Sequence, residues 1–153
     1  MRTDQARVFG IISRAAHRYM KWMGEPYGIN AIECLMLLHI QQYDESTLEQ
    51  ISRAMVIDKS VTTRGISKFL EQGWVEKKSS LIDKRAYHIS LTAVGEQIVE
   101  KLNDKLNKWN DYLAADLTEQ DAEQLFGFLD SLAKNAVDIS IKDFPERFTD
   151  NQE

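Results

Sequence analysis

A single cysteine, Cys34, stands in the whole chain, so no disulfide can brace the fold within one copy, and a reducing compartment suits it. Proline occurs only at Pro26 and Pro145, and no Gly/Ser-rich linker, low-complexity tract or internal repeat interrupts the 153 residues. A single continuous domain, 1–153, mostly helical, is therefore expected. Apolar runs stay well short of the roughly 18 residues that cross a bilayer, and the Met1-Arg2-Thr3-Asp4 start carries no secretory apolar segment. The expectation is a soluble, cytoplasmic protein with no membrane partner. His17, His39 and His88 are scattered, with no His or Cys pair at i, i+4 spacing, which argues against a metal site. Nucleophile motifs and phosphate loops are missing as well, so no catalytic residue, cofactor or enzymatic activity is expected.

Positive charge is also scarce overall, with a net charge of −5. That looks wrong for a nucleic-acid binder, because affinity for DNA comes from cations that displace counterions around phosphates. The distribution reverses the impression. Between Ile57 and Thr92, the cations Lys59, Arg64, Lys68, Lys77, Lys78, Lys84 and Arg85 face only Asp58, Glu71, Glu76 and Asp83, a net +3, which leaves −8 elsewhere. An acidic body with a basic insert can offer one face to DNA and repel it from the others.

Hydrophobic periodicity places the helices. Val8, Ile11, Ile12, Ala15, Tyr19, Trp22 and Met23 recur at three- and four-residue steps, predicting a helix from about Asp4 to Met23, broken by Gly24-Glu25-Pro26-Tyr27-Gly28. Asn30 and Glu33 read as a capping box opening a second helix to Gln41, too apolar to lie anywhere but in the core. Ser46 and Glu49 repeat the signal for a short third helix ending near Met55. Asp58 then caps a fourth helix to Gln72, with Gly73 placed to end it. Trp74–Ser79 and Arg85–Leu91, rich in aromatic and β-branched residues, pair as a hairpin. Thr92 and Thr118 cap a fifth helix (Ala93 to Ala115) and a sixth (Glu119 to Ile139). Ile139, Ile141, Phe144 and Phe148 continue the apolar content beyond it and need something to cover them.

A short helix, a tight turn, a polar-faced second helix and a hairpin make a winged helix-turn-helix. On the fourth helix, Ile66, Phe69 and Leu70 share the apolar side, with Val61 at its margin. Ser60, Thr63, Arg64, Ser67 and Glu71 form the opposite stripe, flanked by Lys59 and Lys68. A helix about 10 to 12 Å across enters the major groove, where Arg pairs with guanine O6 and N7 while Ser and Thr make shorter, less selective contacts. Arg64 is the foremost reader. Lys77, Lys78, Lys84 and Arg85 lie along the hairpin, in reach of the phosphate backbone and the adjoining minor groove, with Arg85 at the tip. For each residue alone, a merely solvated charged face explains it equally well; the ordered combination does not arise so easily.

Three segments carry a family likeness: Thr47-Leu48-Glu49-Gln50-Ile51, then Asp58-Lys59-Ser60-Val61-Thr62-Thr63-Arg64, then Phe69-Leu70-Glu71-Gln72-Gly73-Trp74-Val75. They resemble the helix-turn-helix of the MarR family of bacterial regulators. Asp83-Lys84-Arg85, followed by Leu91-Thr92 and Gly95, is similar to that family's Asp-x-Arg wing signature, with Asp83 as the wing-stabilising residue. The resemblance implies a DNA-binding part at 29–92 and helical dimerisation parts at 1–28 and 93–153. It further implies a homodimer on a near-palindromic double-stranded operator, acting as a repressor, released or altered by a small ligand, aromatic or phenolic, or by an oxidant. The implied DNA contacts are Lys59, Ser60, Thr62, Thr63, Arg64, Ser67, Lys68, Lys77, Lys84 and Arg85. The chain departs from the family pattern at Gly65, which costs roughly 1 kcal/mol of helix propensity in mid-helix, at Val61, and at the apolar Leu81 and Ile82 of the wing.

Two sites stay open between readings. Tyr19, Trp22, Met23, Tyr27 and His39 have the spacing either to line an aromatic ligand pocket or to serve as core and dimer interface. Cys34 is either a redox sensor or an inert core thiol; it has no neighbouring cation in sequence, and the family's peroxide sensors carry their thiol in the first helix, where this chain has none. The alternative function is a winged-helix protein-interaction module that ignores DNA, with Leu81 and Ile82 as anchors.

Overall fold

The structure, a computed structural model, describes residues 2–79 and 87–137. Among the described residues, six α-helices, a 3-10 turn at Glu25–Tyr27 and one hairpin follow in order: α1 (Arg2–Gly24), α2 (Ala31–Gln42), α3 (Leu48–Ala54), α4 (Lys59–Glu71), β1 (Val75–Ser79), β2 (Tyr87–Leu91), α5 (Ala93–Leu113) and α6 (Glu119–Val137). The chain is mostly α with a small β-hairpin, as its periodicities predict. It divides into two compact units, residues 1–109 and 110–153.

In the first unit α2 is the hub, packed against α1, α3, α4 and β2. Its Ala31, Cys34, Met36, Leu37 and Ile40 are buried, because a helix apolar on most sides has to be enclosed. The expected capping box starts it: the Asn30 side chain accepts from Glu33 N–H (3.0 Å), and the Glu33 carboxylate accepts from Asn30 N–H (2.9 Å). Around it gather Met23, Ile51, Ile66, Phe69, Val75, Ile89, Val99 and Leu102. Gly65 allows the close approach of α4, since a Cβ there would stand 2.7 Å from the Met36 sulfur.

The cap of α3 is one residue later than the sequence predicts. Thr47 and Gln50 form the box, with Gln50 N–H donating to Thr47 Oγ1 (3.2 Å) and Thr47 N–H to Gln50 Oε1 (2.8 Å). Ser46 is otherwise engaged: its hydroxyl donates to the Tyr43 carbonyl (2.6 Å) and its own carbonyl accepts from Ile89 N–H (2.9 Å). That bridge ties the approach to α3 onto β2.

Helices α3 and α4 end in the same way. At α4, Trp74 N–H bonds the Phe69 carbonyl and Gly73 N–H the Leu70 carbonyl, with Gly73 at φ 69°. At α3, Ile57 N–H bonds the Ser52 carbonyl and Val56 N–H the Arg53 carbonyl, with Val56 at φ 53°. Both are Schellman turns, whose left-handed position favours glycine. Val56 is β-branched, two-thirds exposed, and gains little packing for the strain. Val56→Gly is therefore expected to stabilise the chain by about 0.5–1 kcal/mol after the added flexibility of glycine is counted. Denaturant titration should show a higher midpoint at unchanged slope; a lower midpoint contradicts the strain argument.

The hairpin is antiparallel, with Val75 opposite Leu91 and Ser79 opposite Tyr87. Thr92 caps α5 as expected, accepting from Gly95 N–H (3.2 Å) while donating to the Gly73 carbonyl (2.6 Å). In the second unit Thr118 caps α6, accepting from Asp121 N–H (3.2 Å). No residue of α6 is buried, although Leu125, Phe128, Leu129 and Leu132 form one apolar stripe along it. Ile139, Ile141, Phe144 and Phe148 lie outside the described residues.

Candidate nucleic-acid interface

Helices α3 and α4 pack together across the Val56 turn, and α4 continues into β1, so one short stretch of chain presents both a helix and a hairpin. Along α4, Lys59, Ser60, Thr63, Arg64 and Ser67 are exposed, while Gly65, Ile66 and Phe69 are buried. The division follows the 100° step of the helix. The ridge is rich in donors, but the Thr63 hydroxyl donates back to the Lys59 carbonyl (2.8 Å), so Thr63 offers an incoming group its acceptor side. Lys77 is exposed on β1, and Lys78 beside it lies 3.5 Å from the Glu76 carboxylate. Asp83, Lys84 and Arg85, with Leu81 and Ile82, lie outside the described residues.

Two residues expected on the DNA face have other employment. Thr62 is fully buried, and its hydroxyl is hydrogen-bonded to Ser52 Oγ (2.8 Å); the Ser52 hydroxyl donates its one proton to the Leu48 carbonyl (2.8 Å), so Thr62 is the donor to Ser52. It stands four and seven residues before Ile66 and Phe69, on the apolar side, and ties α4 to α3. Lys68 directs its ammonium to the Gly28 carbonyl (2.7 Å) and to Glu33 Oε2 (2.9 Å). Since the Glu33 carboxylate already caps α2, this ion pair anchors α4 to the start of α2. Both residues brace α4 against its neighbours; Thr62 lies on its inner face and Lys68 at its margin.

The hairpin is fastened along β2 and at its root. The Glu45 carbonyl can only accept, so His88 Nδ1 carries the proton in the bond between them. Trp74 stacks on Phe69 with ring centroids 5.8 Å apart, the apolar contact that accompanies a Schellman turn. These partners are 5 to 43 residues apart in sequence, and only the Gly73-Trp74 pair following Phe69 was a local signal.

Within the single chain, the residues singled out for an aromatic pocket make packing contacts. Tyr19 stacks on Trp109 (4.8 Å) and tilts against Trp22 (5.4 Å), and its hydroxyl donates to the Lys105 carbonyl (2.8 Å). Lys105 lays its ammonium over the Trp22 ring at 5.0 Å. Met23 is completely buried in the core, Tyr27 packs against it, and His39 tilts onto Tyr43 (4.8 Å). Burial lowers the His39 pKa, which keeps the ring neutral at neutral pH. Tyr19 and Trp22 thus clasp α1 to α5, and Met23 and Tyr27 pack in or against the core, while His39 pairs with Tyr43. Cys34 is also fully buried, and burial followed by the nearby Glu33 carboxylate pushes its thiol up to about 11, so it is not a reactive thiolate. Among the described residues no helix is long and apolar enough to cross a membrane, and no group of three His, Cys, Asp or Glu side chains could hold a metal ion.

A sequence model of the MarR family matches residues 27–86, a stretch that begins after α1, contains α2, α3, α4 and β1, and stops just before β2. The HTH-type transcriptional regulator BilQ of Clostridium symbiosum is 27% identical over 107 residues, covering 70% of this chain and 74% of that protein. A MarR transcriptional regulator from Methanosarcina mazei superimposes with a TM-score of 0.78 at 22% identity, over 90% of this chain and 99% of the other. A mutant MarR from E. coli, solved in complex with operator DNA, superimposes at 0.67 and 22% identity, over 83% of this chain and 91% of that one. The helix-turn-helix, the hairpin and these likenesses agree: the chain has the winged-helix fold seen in MarR transcriptional regulators, and its residues 27–86 match the MarR family model.

Proposed function

We propose that this DNA-binding regulator holds a near-palindromic operator as a homodimer, represses transcription from it, and is released or altered by a small ligand. The observation that carries the reading is the outward ridge of Ser60, Thr63, Arg64 and Ser67 on a helix locked from behind. Residues 29–92 act as the DNA-binding part, with 1–28 and 93–153 as the dimerisation part. Two reading helices, one from each copy, meet half-sites about 34–36 Å apart along the duplex. A shift of a few ångströms in their separation is then enough to lose the operator. In support, a structural relative was solved on operator DNA.

Within the ridge, Arg64 reads a base edge, Ser60 and Ser67 make shorter contacts, and Lys59 and Lys77 meet phosphates. Lys84 and Arg85 extend the same role along the wing, with Asp83 bracing it. Selection of bound sequences from random duplex DNA should return an inverted half-site. Affinity should lie at or below about 10 nM and weaken steeply with salt. Arg64→Ala should cost about 1–3 kcal/mol on the selected operator and far less on random DNA, whereas Lys77→Ala weakens both alike. Equal losses on both duplexes for Arg64→Ala contradict its reading role, and a failure to select any sequence contradicts the operator.

A further inference from the structure

A cleft of about 700 Å³ opens where the end of α2, the base of the hairpin and the first turns of α5 meet. Its wall is acidic. Asp44 lies just past α2, and Glu96, Glu100 and Asp104 follow one another on α5 at four-residue steps. At 1.5 Å of rise per residue those three carboxylates are spaced roughly 6 Å apart in a row, where like charges repel. The cation among the lining residues is Lys78, which Glu76 already approaches.

A second observation is independent of that charge. Ser90, on β2, is 1% exposed and lines the cleft, and its hydroxyl has no hydrogen-bond partner among the described residues. Buried polar atoms are nearly always paired, because leaving one unpaired costs its lost hydration. An incoming N–H completes it. Across the opening, Asn103 Nδ2 donates to Gln41 Oε1 (2.6 Å), so α2 and α5 are linked over the cleft by a single amide bridge. Leu91 and Ala93 add apolar surface suited to methylene groups.

We infer that this cleft binds a linear aliphatic di- or polyamine. Its ammonium groups lie along Glu96, Glu100 and Asp104, its methylene segments rest on the apolar surface, and one N–H reaches Ser90 Oγ. A row of carboxylates suits an extended chain of cations better than a compact ion, and no described cluster converges tightly enough for a metal. Because the cleft touches both the hairpin and α5, its occupant bears on the angle between the wing and the rest of the first unit. That coupling deepens the ligand response proposed above and rests on it; the binding itself does not.

Calorimetric titration of the full chain with spermidine, without DNA and at low salt, tests the site. Saturable binding of one spermidine per chain is expected, weakened about tenfold by Glu100→Gln and several-fold by Ser90→Ala. Glu123→Gln, an exposed acid on α6, should leave it unchanged, with circular dichroism confirming that each variant is folded. Absence of saturable heat, an equal loss in Glu123→Gln, or competition by magnesium at equal charge concentration overturns the proposal. Operator affinity is then measured with and without spermidine for the parent and Glu100→Gln. A response in the parent that Glu100→Gln abolishes supports the coupling. Identical responses in both overturn the coupling while the calorimetric result stands.

Discussion

Gly95→Ala is expected to cost about 3 kcal/mol of stability, the upper part of the range for forcing an atom into packed surroundings. A methyl at this position would stand 2.0 Å from the Trp74 carbonyl oxygen and 3.0 Å from its carbon. Backbone cannot rotate away as a side chain can. That carbonyl is fixed, accepting from Thr92 N–H (2.9 Å), while Trp74 N–H is bonded to the Phe69 carbonyl (2.9 Å) and the Trp74 ring is stacked on Phe69. The substitution therefore has to push the start of α5 away from the root of the hairpin. Gly65→Ala is the instructive comparison, because its methyl meets the Met36 thioether, a pliable group, and regains roughly 1 kcal/mol of helix propensity. Thermal or denaturant unfolding should rank Gly95→Ala far below Gly65→Ala; similar stabilities would show that the contact at Trp74 relaxes freely.

If the proposed homodimer forms through α6, replacing Leu129 and Leu132 together by lysine should yield a monomer and lower operator affinity by about 100-fold or more, the usual loss when two linked sites become one. Leu125, Phe128, Leu129 and Leu132 recur at i, i+3, i+4 and i+7 on α6, with 36% to 59% of each exposed in the single chain. On α1, Val8, Phe9, Ile11 and Ile12 are 43% to 51% exposed. Such continuous apolar stripes mark interaction surfaces. Since these leucines are not buried within the chain, lysine there leaves the first unit's core untouched. Light scattering gives the mass and duplex titration the affinity. A double variant that stays dimeric, or a monomer that binds the operator undiminished, contradicts the two-copy arrangement.

Local chemistry was the legible part of this chain. The Asn30–Glu33 box, the Thr92 and Thr118 caps, and the Gly73 terminator each depend on residues within a few positions, so they can be read in order. The cap of α3 was misread because Ser46/Glu49 and Thr47/Gln50 both satisfy the same spacing. The choice between them is made by Ile89, whose N–H claims the Ser46 carbonyl from the far strand. Thr62 was misassigned by chemistry despite its position: a hydroxyl near a helix start suggests a phosphate ligand, yet its spacing to Ile66 and Phe69 already put it inside. Lys68 could not have been placed from pattern, since its partners, Gly28 and Glu33, lie 40 and 35 residues earlier. The unpaired Ser90 hydroxyl was equally invisible, because alternation along a strand reports which face is covered and nothing about what covers it.

Helix α4, the proposed reading helix, is bolted on three sides: by a hydroxyl pair to α3, by an ammonium to α2, and by stacked rings to the hairpin root. A surface so braced arrives at the duplex already shaped, and little conformational freedom is surrendered on contact. The speed of capture is then governed by electrostatic encounter, and discrimination between sequences falls to how long each complex survives.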